Sequence, residues 1–453
     1  MVAVYGVCWG WWLLFPNALF WDDWAFFFDK TPDQHRAVWA GEGKHFLNPI
    51  LNPLLLELGF WPFRLLTCIS YLVAGVAMNG ILRRQPVLTA LEKRVVLFIF
   101  LLAPINGARY SLQTTEYAYS YAAFFVGWLL ITDKRVMSQI TAALLFVLSF
   151  GTPSLMVFFL IPFTERVLRS GRGPKTIRQI AQSVLRNVHW ALLPPLLWAQ
   201  FQVGTNSSGK YSLTIGVFVL MMVVVAFCTG CGWIYLRRDS SSALGLLMEG
   251  IGVIALAITP YVTTYPGLLA DPLGWFAGFL PNSSDWGSRH GLLWPLGFAL
   301  TIVGVLRRVG DEKVRSTLAV TVISVLATTT TYMGMLYAVD WSKQQGMIAA
   351  LQSSPLRDQI GSAQRFVVHD ATTRFNARNR AYRGYEWSGI FQSAFGSHRP
   401  DIEATRFGSL TVACGDLPTQ LIVVNSPDTI LAAVRRLRVE IQIDVFRLSA
   451  DTC

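Results

Sequence analysis

"MVAVYGVCWGWWLLFPNALFWDDW", residues 1–24, decides how this chain is to be read. From Met1 to Trp21 no side chain is charged, and the run then stops at two adjacent carboxylates, Asp22 and Asp23, flanked by aromatic residues. A stretch of that length and apolarity matches the hydrocarbon thickness of a bilayer, which takes about 20 residues at 1.5 Å each. It lacks the basic start and small-residue cleavage site of a signal peptide, so it reads as a retained helix.

The rest of the chain repeats the pattern. Soluble domains carry roughly 25% charged residues; here 14% are charged and 53% hydrophobic over 453 residues. The expected fold class is therefore a polytopic α-helical membrane protein, with membrane lipids as partners and no nucleic acid despite a net charge of +11. Candidate spans run Val4–Phe20, Phe60–Leu82, Val95–Ile105, Tyr117–Thr132, Ser138–Phe150, Pro153–Leu168, Val188–Val203, Ile215–Leu236, Ala243–Val262, Gly291–Leu306 and Thr317–Val339, about 11 transmembrane helices. Gly151 and Pro153 in "SFGTPSL" break what would otherwise be one long helix into two.

Basic residues test this layout. With the N-terminus inside, eighteen Lys and Arg fall on inner loops, in groups such as Arg83, Arg84, Lys93 and Arg94, against seven on outer loops and span ends. Such a bias places the N-terminus in the cytoplasm and the tail outside. The expected location is the bacterial inner (cytoplasmic) membrane, multi-pass, with the C-terminal part periplasmic.

From Asp340 the composition changes. "RFVVHD", "GSLTVAC", "TQLIVVN" and "RVEIQIDVFRLS" have the β-branched, alternating character of strands, and "SPDTILAAVRRLR" has a capped helical start. Two domains are expected: 1–339 transmembrane and 340–453 a soluble extracytoplasmic α/β domain. Of the six cysteines, Cys228 and Cys231 have a redox or zinc spacing but lie in an apolar run, where packing is the simpler role. Cys414 and Cys453 in the tail pair only if the compartment is oxidising.

Unusual polar residues gather on the outer side. Asp22 and Asp23 end the first span; Arg109 and Glu116 lie in "NGARYSLQTTEYAYSY"; Lys210 lies in "GTNSSGKYS"; Arg289 and His290 precede Gly291. Acids at a span end beside tryptophans also fit a solvated helix end with an interfacial anchor. Arg289 and His290 also fit simple flanking charges. In the tail, Arg374, Arg378, Arg380 and Arg383 form a basic cluster that suits anionic polysaccharide, lipid headgroups or plain solvent.

A first span ending in an outer acidic pair, a long first outer loop, many spans and a terminal outer domain together resemble the GT-C superfamily of integral-membrane glycosyltransferases. "YRGYEWSGIFQSAFG", Tyr382–Gly396, resembles tails of bacterial members that decorate surface polysaccharide or pilin. The resemblance implies an inverting enzyme that moves a sugar from a polyprenyl-phosphate-linked donor to an acceptor hydroxyl on a glycan or protein. It implies Asp23 as catalytic base, with Asp22 orienting it or holding a metal. Cationic partners for the leaving phosphate would be Arg289 and Arg109 first, then Lys210 and His290. A divalent cation, Mg or Mn, is open, with Asp22, Asp23 and Glu116 as oxygen ligands.

Rival readings are an O-antigen polymerase or ligase, which tends to use arginines and histidines of a large outer loop, and a flippase for lipid-linked glycans. A flippase calls for charged or broken segments at mid-membrane, and Glu249 is the clearest intramembrane acid. An anchor for the outer domain would need far fewer spans.

Overall fold

The computed structural model describes residues 1–28, 30–41, 47–104, 107–169, 177–204, 215–239, 241–264, 291–353, 355–356, 360, 365–396, 401–404 and 419–447. It is mostly helical, with one small sheet near the C-terminus. Helix occurs within each of the eleven expected segments. Among the described residues, however, only four helices are long and apolar enough to cross a membrane: Trp61–Arg83, Phe218–Arg238, Ala243–Pro260 and Glu312–Leu351. Others are short; Trp294–Leu306 has 13 residues, about 20 Å of rise against a hydrocarbon core of about 30 Å. The count of about eleven spans is therefore not reached on length.

Local signals set the helix ends. Thr89 and Glu92 form a reciprocal capping box, Thr89 Oγ1 accepting from Glu92 N at 3.4 Å and Glu92 Oε2 accepting from Thr89 N at 2.8 Å. The same Glu92 takes an ion pair from Arg307 Nε at 2.7 Å, which ties two distant helix ends together. Asp311 caps the Glu312–Leu351 helix through the N–H groups of Lys313 and Val314. The break near Gly151 is present: Val136–Ser149 ends in a turn, and Pro153 opens the next helix, Pro153–Phe158.

Small residues bring the apolar helices close. A Cβ placed on Gly250 would lie 2.6 Å from Thr301 N, and one on Gly297 would lie 2.8 Å from Gly250 O. Ala243–Thr264 and Trp294–Leu306 therefore touch backbone to backbone, as helices do where lipid supplies no hydrophobic drive to pack. Thr330 Oγ1 also donates to Leu102 O at 2.6 Å across helices.

The terminal sheet has four strands in the order β2-β1-β3-β4. β1 (Arg365–Asp370) is central and runs parallel to β2 (Asp401–Ala404) and β3 (Thr419–Asn425), while β4 (Gln442–Arg447) is antiparallel to β3. "RFVVHD" and "TQLIVVN" are strands as expected. "GSLTVAC" and the Cys414–Cys453 pair lie outside the described residues, and β2 has no counterpart among the expected strands.

The expected domain division between Val339 and Asp340 falls inside an unbroken 40-residue helix, Glu312–Leu351. At 1.5 Å per residue it spans about 60 Å, twice a bilayer core, so its last turns carry Met347 and Leu351 into the terminal unit. The core of that unit is shared. Phe366, Ile390, Phe391 and Ile422 pack in one cluster with Leu19, Trp24, Phe27, Phe63 and Leu112 of the helical body.

Candidate functional site

The acid pair sits at this junction, directly after a residue with an unusual backbone torsion. Trp21 has φ 51°, a left-handed conformation unusual for a bulky residue. Its indole ring lies against Tyr337 at 5.5 Å between centroids and under the Arg380 guanidinium at 5.2 Å. Its N–H donates to Glu386 Oε1 at 3.2 Å. Contacts from both units thus hold a torsion that costs on the order of 1–3 kcal/mol.

Past this turn the two carboxylates part. Asp23 points into the body with 0% exposure. Its Oδ1 accepts from Ser111 Oγ at 2.6 Å and Gln113 N at 3.1 Å, and its Oδ2 accepts from Leu112 N at 3.0 Å and Phe20 N at 3.1 Å. Burial pushes this carboxyl up to about 6, against the pull of the Arg64 charge and the donated hydrogen bonds. Arg64, itself buried, donates to the carbonyls of Tyr110 and Ala18 and lies over the Trp12 ring at 5.4 Å. Asp23 and Arg64 therefore clamp the 18–23 turn onto the 107–114 segment.

Asp22 faces the terminal unit and keeps 19% of its side chain exposed. Tyr385 donates its hydroxyl to Asp22 Oδ1. Arg383 Nη1 donates to Tyr385 Oη at 3.0 Å and lies 3.6 Å from Asp22 Oδ1. Burial, and then the hydrogen bond to Asp22, raise the Tyr385 hydroxyl pKa, which keeps it a donor. Arg383 is the N-cap, and Tyr385 lies in the first turn, of the Gly384–Phe395 helix, whose Gly389 packs on the Trp24 indole.

Of the other expected site residues, Arg109 and Glu116 are described, and each has partners of its own. Arg109 stacks on Trp9 at 3.7 Å and Tyr71 at 4.4 Å, and lines a cavity of about 30 Å³ with Arg64, Trp12 and Thr67. Glu116 accepts from Asn48 Nδ2, and Tyr119 Oη donates to Asn48 Oδ1 at 2.6 Å. Arg289, His290 and Lys210 lie outside the described residues. Asp22, Asp23 and Glu116 do not assemble as a cation site: both Asp23 oxygens are taken and Glu116 is held by Asn48. Among the described residues no group of three or more His, Cys, Asp or Glu is placed to hold a metal. A cleft of about 490 Å³ is lined by Asn17, Phe27, Lys30, Thr31, Glu57 and Phe60.

The tail arginines are mostly committed to the fold. Arg380 pairs with Glu386 at 2.7 Å and with Asp340 at 3.6 Å. Burial lowers its pKa, but these carboxylates outweigh burial and raise it. Arg374 donates to the carbonyls of Ser426 and Asp428. Lys343, fully buried on the long helix, donates to Asp370 Oδ2 and Asn376 Oδ1, both at 2.6 Å. Sequence reading passed over Arg64, Tyr385 and Lys343. The signal for Arg64 was an arginine early in an apolar helix, in "WPFRLL"; the other two carry none without the fold.

No protein-family model, no curated protein and no solved structure matches this chain.

Proposed function

We propose that the chain is a GT-C-like membrane glycosyltransferase that moves a sugar from a polyprenyl-phosphate lipid to an acceptor hydroxyl at the membrane surface, with the terminal α/β unit on the periplasmic side of a bacterial inner membrane. The observation that carries this reading is the setting of Asp22. It is a partly exposed carboxylate at the seam between an apolar helical body and a polar α/β unit, hydrogen-bonded by Tyr385. A lipid-borne sugar reaches that depth from the bilayer, and a polar acceptor reaches it from water.

In this mechanism Asp22, rather than Asp23, is the base. A general base must come within hydrogen-bond reach of the proton it takes, and Asp23 is fully buried with both oxygens occupied. The acceptor oxygen forms a bond to the anomeric carbon while the bond from that carbon to the lipid-phosphate oxygen breaks. The acceptor proton passes to the Asp22 carboxylate, and the lipid phosphate departs with the bonding electron pair. One displacement inverts the anomeric centre. Asp23 and Arg64 fix the turn that presents Asp22, and Tyr385 orients its carboxylate.

The test is transfer from a panel of polyprenyl-phosphate sugars by the full-length protein in lipid nanodiscs, comparing wild type with Asp22→Asn. Transfer by wild type and its collapse in the variant support the reading. Transfer undiminished in Asp22→Asn removes the base, and no transfer with any donor moves the function to the polymerase, ligase or flippase class.

A further inference from the structure

We infer that Arg383, supplied by the terminal α/β unit, is the cation that receives the donor's phosphate; this rests on the glycosyltransferase reading and completes its site. Of the tail arginines, Arg380 is consumed by Glu386 and Asp340, and Arg374 by two carbonyls. The Arg378 side chain lies outside the described residues. Arg383 alone of the described ones reaches the acid pair, and it keeps 55% of its side chain exposed.

A phosphate brought beside the Asp22 carboxylate meets repulsion unless a cation stands with it. Arg383 stands there, 3.6 Å from Asp22 Oδ1, with one nitrogen engaged by Tyr385 Oη at 3.0 Å. A guanidinium has five N–H donors in a planar fork, so a face remains for two phosphate oxygens. Tyr385, bonded to both Arg383 and Asp22, fixes the spacing of cation and base. The phosphate site and the base would then be two ends of one hydrogen-bonded row that exists only while the terminal unit is docked.

The experiment measures binding of farnesyl phosphate and farnesol to the full-length protein in nanodiscs, for wild type, Arg383→Gln and Asp22→Asn. The Arg383 backbone N–H, which donates to Glu386 Oε2 at 2.9 Å, survives the glutamine change, so the fold is kept and farnesol binding reports that it is. Wild type is expected to prefer farnesyl phosphate. Arg383→Gln is expected to lose about tenfold of that affinity, the scale of one charged hydrogen-bond pair, with farnesol unchanged. Asp22→Asn is expected to bind farnesyl phosphate at least as well as wild type. Equal farnesyl phosphate affinity in Arg383→Gln and wild type overturns the assignment and leaves the glycosyltransferase reading to the transfer assay. A wild type that does not distinguish the phosphate from the alcohol overturns both. A ten-fold loss in Arg383→Gln alongside undiminished transfer by Asp22→Asn keeps the phosphate site and removes only the base.

Discussion

The backbone N–H of Trp21 donates to Glu386 Oε1 at 3.2 Å across 365 positions of sequence. Directly after this left-handed residue the two carboxylates find different partners, Asp23 in the 111–113 segment and Asp22 at Tyr385. Asp23 goes to the interior and holds the turn; Asp22 goes to the seam.

The two aspartates should therefore respond differently to the same change. Asp22→Asn is expected to lower transfer about 10²–10⁴-fold while leaving the melting temperature in detergent near that of wild type. Asp23→Asn turns an amide group toward donors that need an acceptor, at about 1–3 kcal/mol for each group left unsatisfied. Its melting temperature should drop. A stable, inactive Asp23→Asn would contradict this division.

Asp23 and His35 should oppose each other as pH changes. Asp23 rises from 3.8 to about 6 on burial, so between those values the folded chain holds more protons, and this contribution to stability falls as pH rises. Burial lowers His35 from 6.5 to about 4, so there the unfolded chain holds more, and stability rises with pH over nearly the same window. His35→Phe keeps the aromatic contact with Phe27, 4.8 Å between centroids, and removes one side of the balance. Its melting temperature should fall relative to wild type as pH is raised from about 4 to 6, and Asp23→Asn should show the reverse slope. Parallel curves for all three proteins would be the wrong outcome.

Gly389 is the contact point between the terminal helix and the Trp24 ring. A Cβ there would lie 2.2 Å from Trp24 Cε3 and 2.9 Å from Cδ2, atoms of a rigid side chain within a packed cluster. Gly389→Ala is expected to cost about 1–3 kcal/mol and to separate the two units at the seam. Limited proteolysis should then cut near residues 384–396 faster than in wild type, and transfer should fall with it. An alanine variant as resistant and as active as wild type would rule this out.

Lys343 anchors the long helix to the sheet. Lys343→Met leaves Asp370 buried without its ammonium partner, a loss of about 3–5 kcal/mol. Burial alone raises the Asp370 carboxyl, but Lys343 outweighs it and holds the carboxyl below its usual range. That stability is present at neutral pH and is lost as pH falls through the folded value. The gap in melting temperature between Lys343→Met and wild type should therefore narrow toward acid; a gap independent of pH would argue against a charged pair.

The sequence alone determined the apolar helical character, the break before Pro153 and the strand nature of "RFVVHD" and "TQLIVVN". Those follow from periodicity, helix breakers and β-branched runs, which act over a few neighbouring residues. The acid pair at the end of the first apolar run was equally legible as unusual. Its division was not, because that depends on Glu386, Tyr385 and Ser111, which approach only in the tertiary structure. The expected boundary at Asp340 lies inside a continuous helix for a related reason. Composition changes at Asp340, but helical hydrogen bonding continues to Leu351, and Met347 finds its apolar partners in the terminal unit. Local sequence fixes which residues are apolar and which backbone shapes are cheap. Only packing decides which of two adjacent aspartates loses its water, because desolvation is a property of everything that surrounds a group.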